Sequence, residues 1–156
     1  MTETLVVYLP TPDRVLDKNG RGWTATGKRR DGSHYYVSER SMHYKARRED
    51  ARRTIAATLA TRRAGSGPFV ERDQRCYLTI DWFGPKGHWP DDDNVIERCA
   101  AYRDGAQDAG LVVNDRQIVT RGVRFHVATR FQRCIVLTFA AHDVDVDEPE
   151  VPDANW

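Results

Sequence analysis

The stretch RCYLTIDWFGPKGHWPDDDNVIERCAAYRDGAQDAGLVVNDRQI, residues 75–118, decides the fold. Its opening alternates, sending Cys76, Leu78, Ile80 and Trp82 to one face, and reads as a strand over 75–83. A turn-rich connector, residues 84–90, follows it. A helix is predicted over 94–109, because Val95, Cys99, Tyr102 and Ala106 recur at helical spacing. Gly105 and Gly110 read as helix-end residues. A brief apolar run, 111–113, leads to a turn at Asn114-Asp115.

Upstream, residues 5–9 form a short β-branched strand stopped by Pro10 and Pro12. Residues 11–34 have no periodicity and are expected to be a long loop, with a hairpin turn at Asp31-Gly32 leading into 35–37. Ser38 and Ser41 are candidate N-caps for a helix reaching about Arg63, with Ala51, Ile55 and Leu59 as its buried stripe. Downstream, 119–128 and 134–140 are expected to pair antiparallel. These elements predict an α+β fold, a small mixed or antiparallel sheet with helices packed on it. One domain is expected over 1–142, followed by an acidic, disordered tail over 143–156.

The chain has 156 residues and a formal net charge of +1. That near-zero total hides an uneven distribution. Residues 28–63 carry eleven Lys/Arg against four Asp/Glu, and 143–156 carry six acids and no base. Such asymmetry points to a polyanionic partner. Lys45, Arg48 and Arg52 share one face of the predicted helix, either as a solvated face or as a row of cations tracking phosphates. The tail could compete with such a partner for that basic face. No run approaches the ~18 apolar residues of a membrane span. The first nine residues lack a basic and then apolar run, so no secretory leader is expected. Cys76, Cys99 and Cys134 form no CxxC pair, which suits a reducing, cytoplasmic setting.

The chemistry concentrates at Asp91-Asp92-Asp93-Asn94. Adjacent carboxylates repel one another and stabilise no fold alone. They are either a solvated loop with one Asp capping the helix, or a hard oxygen site of the kind Mg²⁺ uses. Asn94 could cap or support a ligand, and Glu97, four residues after Asp93, could lie on the same side. Trp82, Phe83 and Trp89 nearby are core anchors or platforms for an unpaired base. His88 could contact phosphate. The five histidines lack zinc spacing, and no GxxxxGK[ST] loop is present.

The order Asp91-x-Asp93-Asn94, helix, Asp104-Gly105-x-x-Asp108-Ala109-Gly110, then Asn114-Asp115-x-x-Ile118 resembles the RusA family of Holliday junction resolvases. More loosely, Leu9-Pro10-x-Pro12 and Asn19, Arg21 and Trp23 resemble that family's opening strand and loop. The resemblance spans residues 5–140. It implies a homodimeric crossover junction endodeoxyribonuclease acting on branched DNA in recombination and repair, commonly a phage or prophage product. It implies that Asp91, Asp93 and Asp115 are catalytic and hold Mg²⁺, with Mn²⁺ as a substitute. Arg21, Lys45, Arg48, Arg52 and Arg98 are the expected DNA contacts. The family places a lysine on the helix after its acidic motif; here the equivalent position is Glu97 or Ala100. A branched-DNA-binding protein with weak or lost cleavage, or another metal-dependent phosphohydrolase, would keep much of this pattern.

Overall fold

The computed structural model describes residues 3–17, 23–62 and 67–153. Strand β1 (Thr4–Leu9) is followed by a hairpin, β2 (Trp23–Lys28) and β3 (His34–Ser38). Helix α1 (Glu39–Ala60) leads to strand β4 (Cys76–Gly84). Helices α2 (Asp92–Arg98) and α3 (Ala100–Asp108) come next, and strands β5 (Ile118–Val127) and β6 (Cys134–Ala140) complete the sheet. The result is the expected α+β architecture, with a four-stranded mixed sheet in the order β1-β6-β4-β5.

Three local expectations are corrected. Residues 11–34 are not all loop, because β2 lies within them and pairs antiparallel with β3. The turn does fall at Asp31-Gly32: Gly32 has φ +89°, and the Asp31 carboxylate accepts from the Ser33 N–H at 2.9 Å. The helix over 94–109 is two helices meeting at Cys99, and the first begins earlier, at Asp92.

The third correction is topological. Strands β5 and β6 do not pair with each other; β4 lies between them, parallel to β5 and antiparallel to β6. A helical crossover delivers β5 parallel to β4, since α2 and α3 carry the chain back to where β4 began. β4 and β6 are buried almost throughout, so each takes two neighbours, whereas β5 is part-exposed and suits an edge.

One sheet face carries Leu5, Val7, Leu9, Leu78, Ile80, Trp82, Leu137 and Phe139 into a core closed by Ala51 and Ile55 of α1 and by Val95, Cys99, Tyr102 and Ala106. Ser38 caps α1, its hydroxyl accepting from the Ser41 N–H. All three cysteines are buried, free thiols pushed up to about 12 by desolvation. The native protein is therefore expected to resist alkylation at pH 8 and to take up three equivalents of iodoacetamide only on unfolding. Rapid labelling of the folded chain, read by intact mass, would contradict this burial.

The second sheet face is not solvent-bare. Residues 143–153, expected to belong to a disordered tail, lie against it. Arg121 pairs with Asp143 and Asp145, Arg124 donates to the carbonyls of Val146 and Asp147, and the Tyr8 hydroxyl donates to the Glu150 carbonyl. Val144, Val146 and Pro149 are part-buried, while the acids between them face outward. The alternation that looked unpackable is thus strand-like, with its small apolar members turned inward. The tail lies on the face opposite α1, so it does not cover the cations of that helix. Among the described residues, no helix is long and apolar enough to cross a membrane.

Candidate functional site

Strands β1, β4 and β5 finish, and β6 begins, at one end of the sheet. Three loops meet there: 10–17, 85–91 and 128–133. They enclose an open groove of about 1070 Å³. Ligand sites of open α/β sheets commonly sit beyond the carboxyl ends of parallel strands, and this groove lies beyond those of β4 and β5.

Its floor is built from a buried ion pair. Arg98 makes two bonds to the Asp17 carboxylate, one of them 3.1 Å, and its guanidinium lies 5.5 Å from the centre of the Trp82 ring. Arg40 donates to the carbonyls of Val15 and Asp17, so α1 fixes the same loop. The Tyr102 hydroxyl reaches the Pro10 carbonyl. Trp89 forms a wall, stacked on Phe125 with ring centres 5.4 Å apart and its indole N–H donating to the Gly84 carbonyl. Both tryptophans are thus held by the fold. Phe83 lies on the opposite sheet face, stacked on His126, so it is no platform for this groove.

Asp91 caps α2 by its backbone and lines the groove with Asn94 and Arg98, at the spacing that shares one helix face. Asp92 and Asp93 follow in the first turn of α2, where acids suit the helix dipole; all three carboxylates are exposed. His88, Arg14 and Arg133 complete the rim.

Asp115 is elsewhere. It opens a 3-10 turn capped by Asn114, and its N–H donates to the Gln107 side chain at 2.8 Å. Cys76 is opposite Ile118, whereas Gly84 is opposite Val127. Asp115 therefore sits where β4 begins, and Asp91 lies beyond where β4 ends. Strand β4, which runs between those two ends of the sheet, is nine residues long, on the order of 25 Å at about 3.3 Å per residue. Three carboxylates were expected to share one ion; within one chain the crossover keeps Asp115 away from Asp91 and Asp93. Among the described residues, no group of three or more His, Cys, Asp or Glu could hold a metal ion.

The expected DNA contacts divide. Arg21 lies outside the described residues. Arg98 is only 9% exposed and belongs to the groove floor, not to an open contact surface. Arg48 holds Asp108 in a two-point pair at 2.5 and 2.8 Å and approaches Asp104, which also accepts from Tyr44. Those bonds hold the Asp108 carboxyl below its ordinary range. Arg52 pairs with Glu49 at 2.5 Å. Lys45 edges a small recess beside Tyr44 and Arg48, with no carboxylate partner among the described residues. Glu97, one of the two positions where the family resemblance calls for lysine, meets Arg40 at 3.2 Å. It ties α2 to α1.

Sequence reading missed one buried cluster. Asp81 is 0% exposed, and both its oxygens accept from Arg124, at 2.7 and 2.9 Å. The His126 Nε2 lies 2.6 Å from the same carboxylate. A lone acid in the apolar run of β4 was the available signal, since a buried charge requires partners.

No family model matches the chain. A protein of Xylella fastidiosa (strain Temecula1 / ATCC 700964) that carries only the description "Uncharacterized protein" is 38% identical over 68 residues, 44% of each chain. The aligned part thus spans less than half the length of that relative.

Proposed function

We propose that the chain is a Mg²⁺-dependent endodeoxyribonuclease that cuts four-way DNA junctions. The observation that carries this reading is the seat of the Asp91-x-Asp93-Asn94 motif. It starts a helix at the carboxyl ends of parallel strands, on the rim of the groove, beside His88, Arg14 and Arg133. Mg²⁺ is commonly held by one or two carboxylates, with water and phosphate oxygens completing its shell. Asp91 and Asp93, two residues apart and both exposed, fit that donor set; Asp115 of the same chain does not. Bound there, the ion would activate water and offset charge on the phosphate. Asn94 lies one turn along the same helix face as Asp91, and Arg14 and Arg133 offset the acidic centre for an incoming backbone. Two paired cuts on a junction require two sites, hence a homodimer.

Asp93→Asn is expected to lower nicking of a synthetic four-way junction by at least about a hundredfold, the scale on which loss of one charge-stabilising group is felt. Junction binding should survive. Undiminished cutting would sink the proposal.

One observation favours a second reading, a branched-DNA-binding protein that no longer cuts. Neither Glu97 nor Ala100, the two positions where the resolvase pattern calls for a lysine, is basic, and Arg40 holds Glu97 in place. Junction binding without product at any Mg²⁺ or Mn²⁺ concentration would select this reading.

A further inference from the structure

The cations expected from sequence to meet DNA are mostly engaged already. Arg48, Arg52 and Arg98 hold carboxylates, as do Arg40, Arg47, Arg53, Arg62, Arg121 and Arg124. An arginine in such a pair must release its partner to take a phosphate, which cancels much of the gain. Arg14, Arg130 and Arg133 are different. All three are exposed, and none has a carboxylate within ion-pair distance among the described residues. Arg14 and Arg133 line the groove that Asp91 edges, and Arg130 stands one short turn before Arg133.

The same turn presents Phe131, 61% exposed, with the Arg130 guanidinium 4.8 Å from its ring centre. Val127, 62% exposed, is close by in sequence at the end of β5. Among the described residues the Phe131 ring joins no hydrophobic cluster, and leaving it in water forgoes burial. The turn is itself held in place: the Ala128 N–H donates to the Gly84 carbonyl at 3.0 Å, and Gln132 closes a capping box with Thr129. A presented aromatic, a cation stacked on it and two further unpaired cations on the groove that Asp91 edges suit a strand whose bases are unstacked. Phosphates go to arginines, and an open base face goes to the ring. Unpaired cations occur elsewhere, Lys45 among them. Among the described residues it is at this end that they coincide with an exposed aromatic and the Asp91 groove.

Resting on the nuclease reading, we propose that the 127–133 loop is the branch-point contact. Phe131 stacks on an unpaired base, and Arg14, Arg130 and Arg133 hold the flanking phosphates. The helix α1 row is peripheral to it.

The test is equilibrium binding of full-length protein to three probes: a four-way junction, a linear duplex and a single strand. Phe131→Ala should weaken junction and single-strand binding about tenfold, the scale of one lost base stack, and leave linear duplex nearly unmoved. Arg133→Gln and Arg130→Gln should weaken all three and lower the salt slope by about one each. Lys45→Gln should change little. All four side chains are exposed, so melting temperatures should hold. Wild-type junction binding that neither Phe131→Ala nor Arg133→Gln alters would overturn this proposal alone. Absence of DNA binding by the wild type would remove the nuclease reading and the loop proposal together. A Phe131→Ala variant that changes oligomeric state with unchanged DNA affinity would assign the loop to protein contact and overturn it as well.

Discussion

Gly105→Ala is expected to cost about 2–3 kcal/mol and to lower the melting temperature by about 5–10 °C. Gly105 lies in α3 where that helix crosses α1. A Cβ there would sit 2.4 Å from the Arg48 carbonyl oxygen, 2.6 Å from the Ala51 Cβ and 3.0 Å from the Arg52 nitrogen. Two of these are backbone atoms of a 22-residue helix, so no side chain can swing aside. The helices must part, which loosens Ile55 in the core and stretches the Arg48–Asp108 and Tyr44–Asp104 links. Alanine's better helix propensity returns about 1 kcal/mol and sets the lower end of the range. Gly122→Ala in β5 is the control: its added Cβ meets nothing within 4 Å, so its midpoint should be near wild type. Urea or thermal unfolding of the pair decides the matter, and equal midpoints would show that the crossing yields.

That glycine marks where sequence reasoning stops. Its position near the predicted helix end suggested a terminator, which Gly110 is: φ is +82°, and the Leu111 N–H returns to the Ala106 carbonyl. Gly105 instead serves a contact with a residue more than fifty positions away in sequence, and no local pattern encodes that partner. Periodicity did reveal β1, α1, β4 and the inward residues of α2 and α3, because one-sided burial writes itself into spacing. Pairing order was not legible. Strands β5 and β6 are consecutive and close in sequence, so adjacency was the natural guess. What separates them is the demand of β4 for two neighbours, a global condition.

The candidate site was legible in half. Asp91-Asp92-Asp93-Asn94 stood out as adjacent carboxylates and through the family resemblance, and Asp91 and Asn94 line the groove. Which cations were open was not legible, because composition counts arginines without their partners. Arg48 and Arg52 look free in one dimension and are paired in three. Phe131 and Arg133 fall in the connection between the strands expected at 119–128 and 134–140, where no sequence pattern singles them out.

The separation of Asp115 from Asp91 and Asp93 leads to the last expected result. The family resemblance assigns all three a role, yet the β4-to-β5 crossover places Asp115 where β4 begins and the other two beyond where it ends in one chain. If Asp115 takes part in cutting, it acts on the site of a second copy. Asp93→Asn and Asp115→Asn should each be inactive alone. Co-expressed, they should recover roughly a quarter of wild-type cutting, because half of randomly paired dimers are mixed and one of their two sites is whole. The product carries the sharper signature. A mixed dimer has one working site, so it nicks one strand of a cruciform plasmid and leaves nicked circles, whereas the wild type makes paired cuts and linear product. Sites built within a single chain would give no recovery from any mixture of the two variants. Co-expressed protein as inactive as either variant, with tagged subunits shown to have exchanged, would remove Asp115 from the partner's site. Full activity of Asp115→Asn by itself would remove it from the reaction and leave Asp91 and Asp93 as the whole carboxylate set.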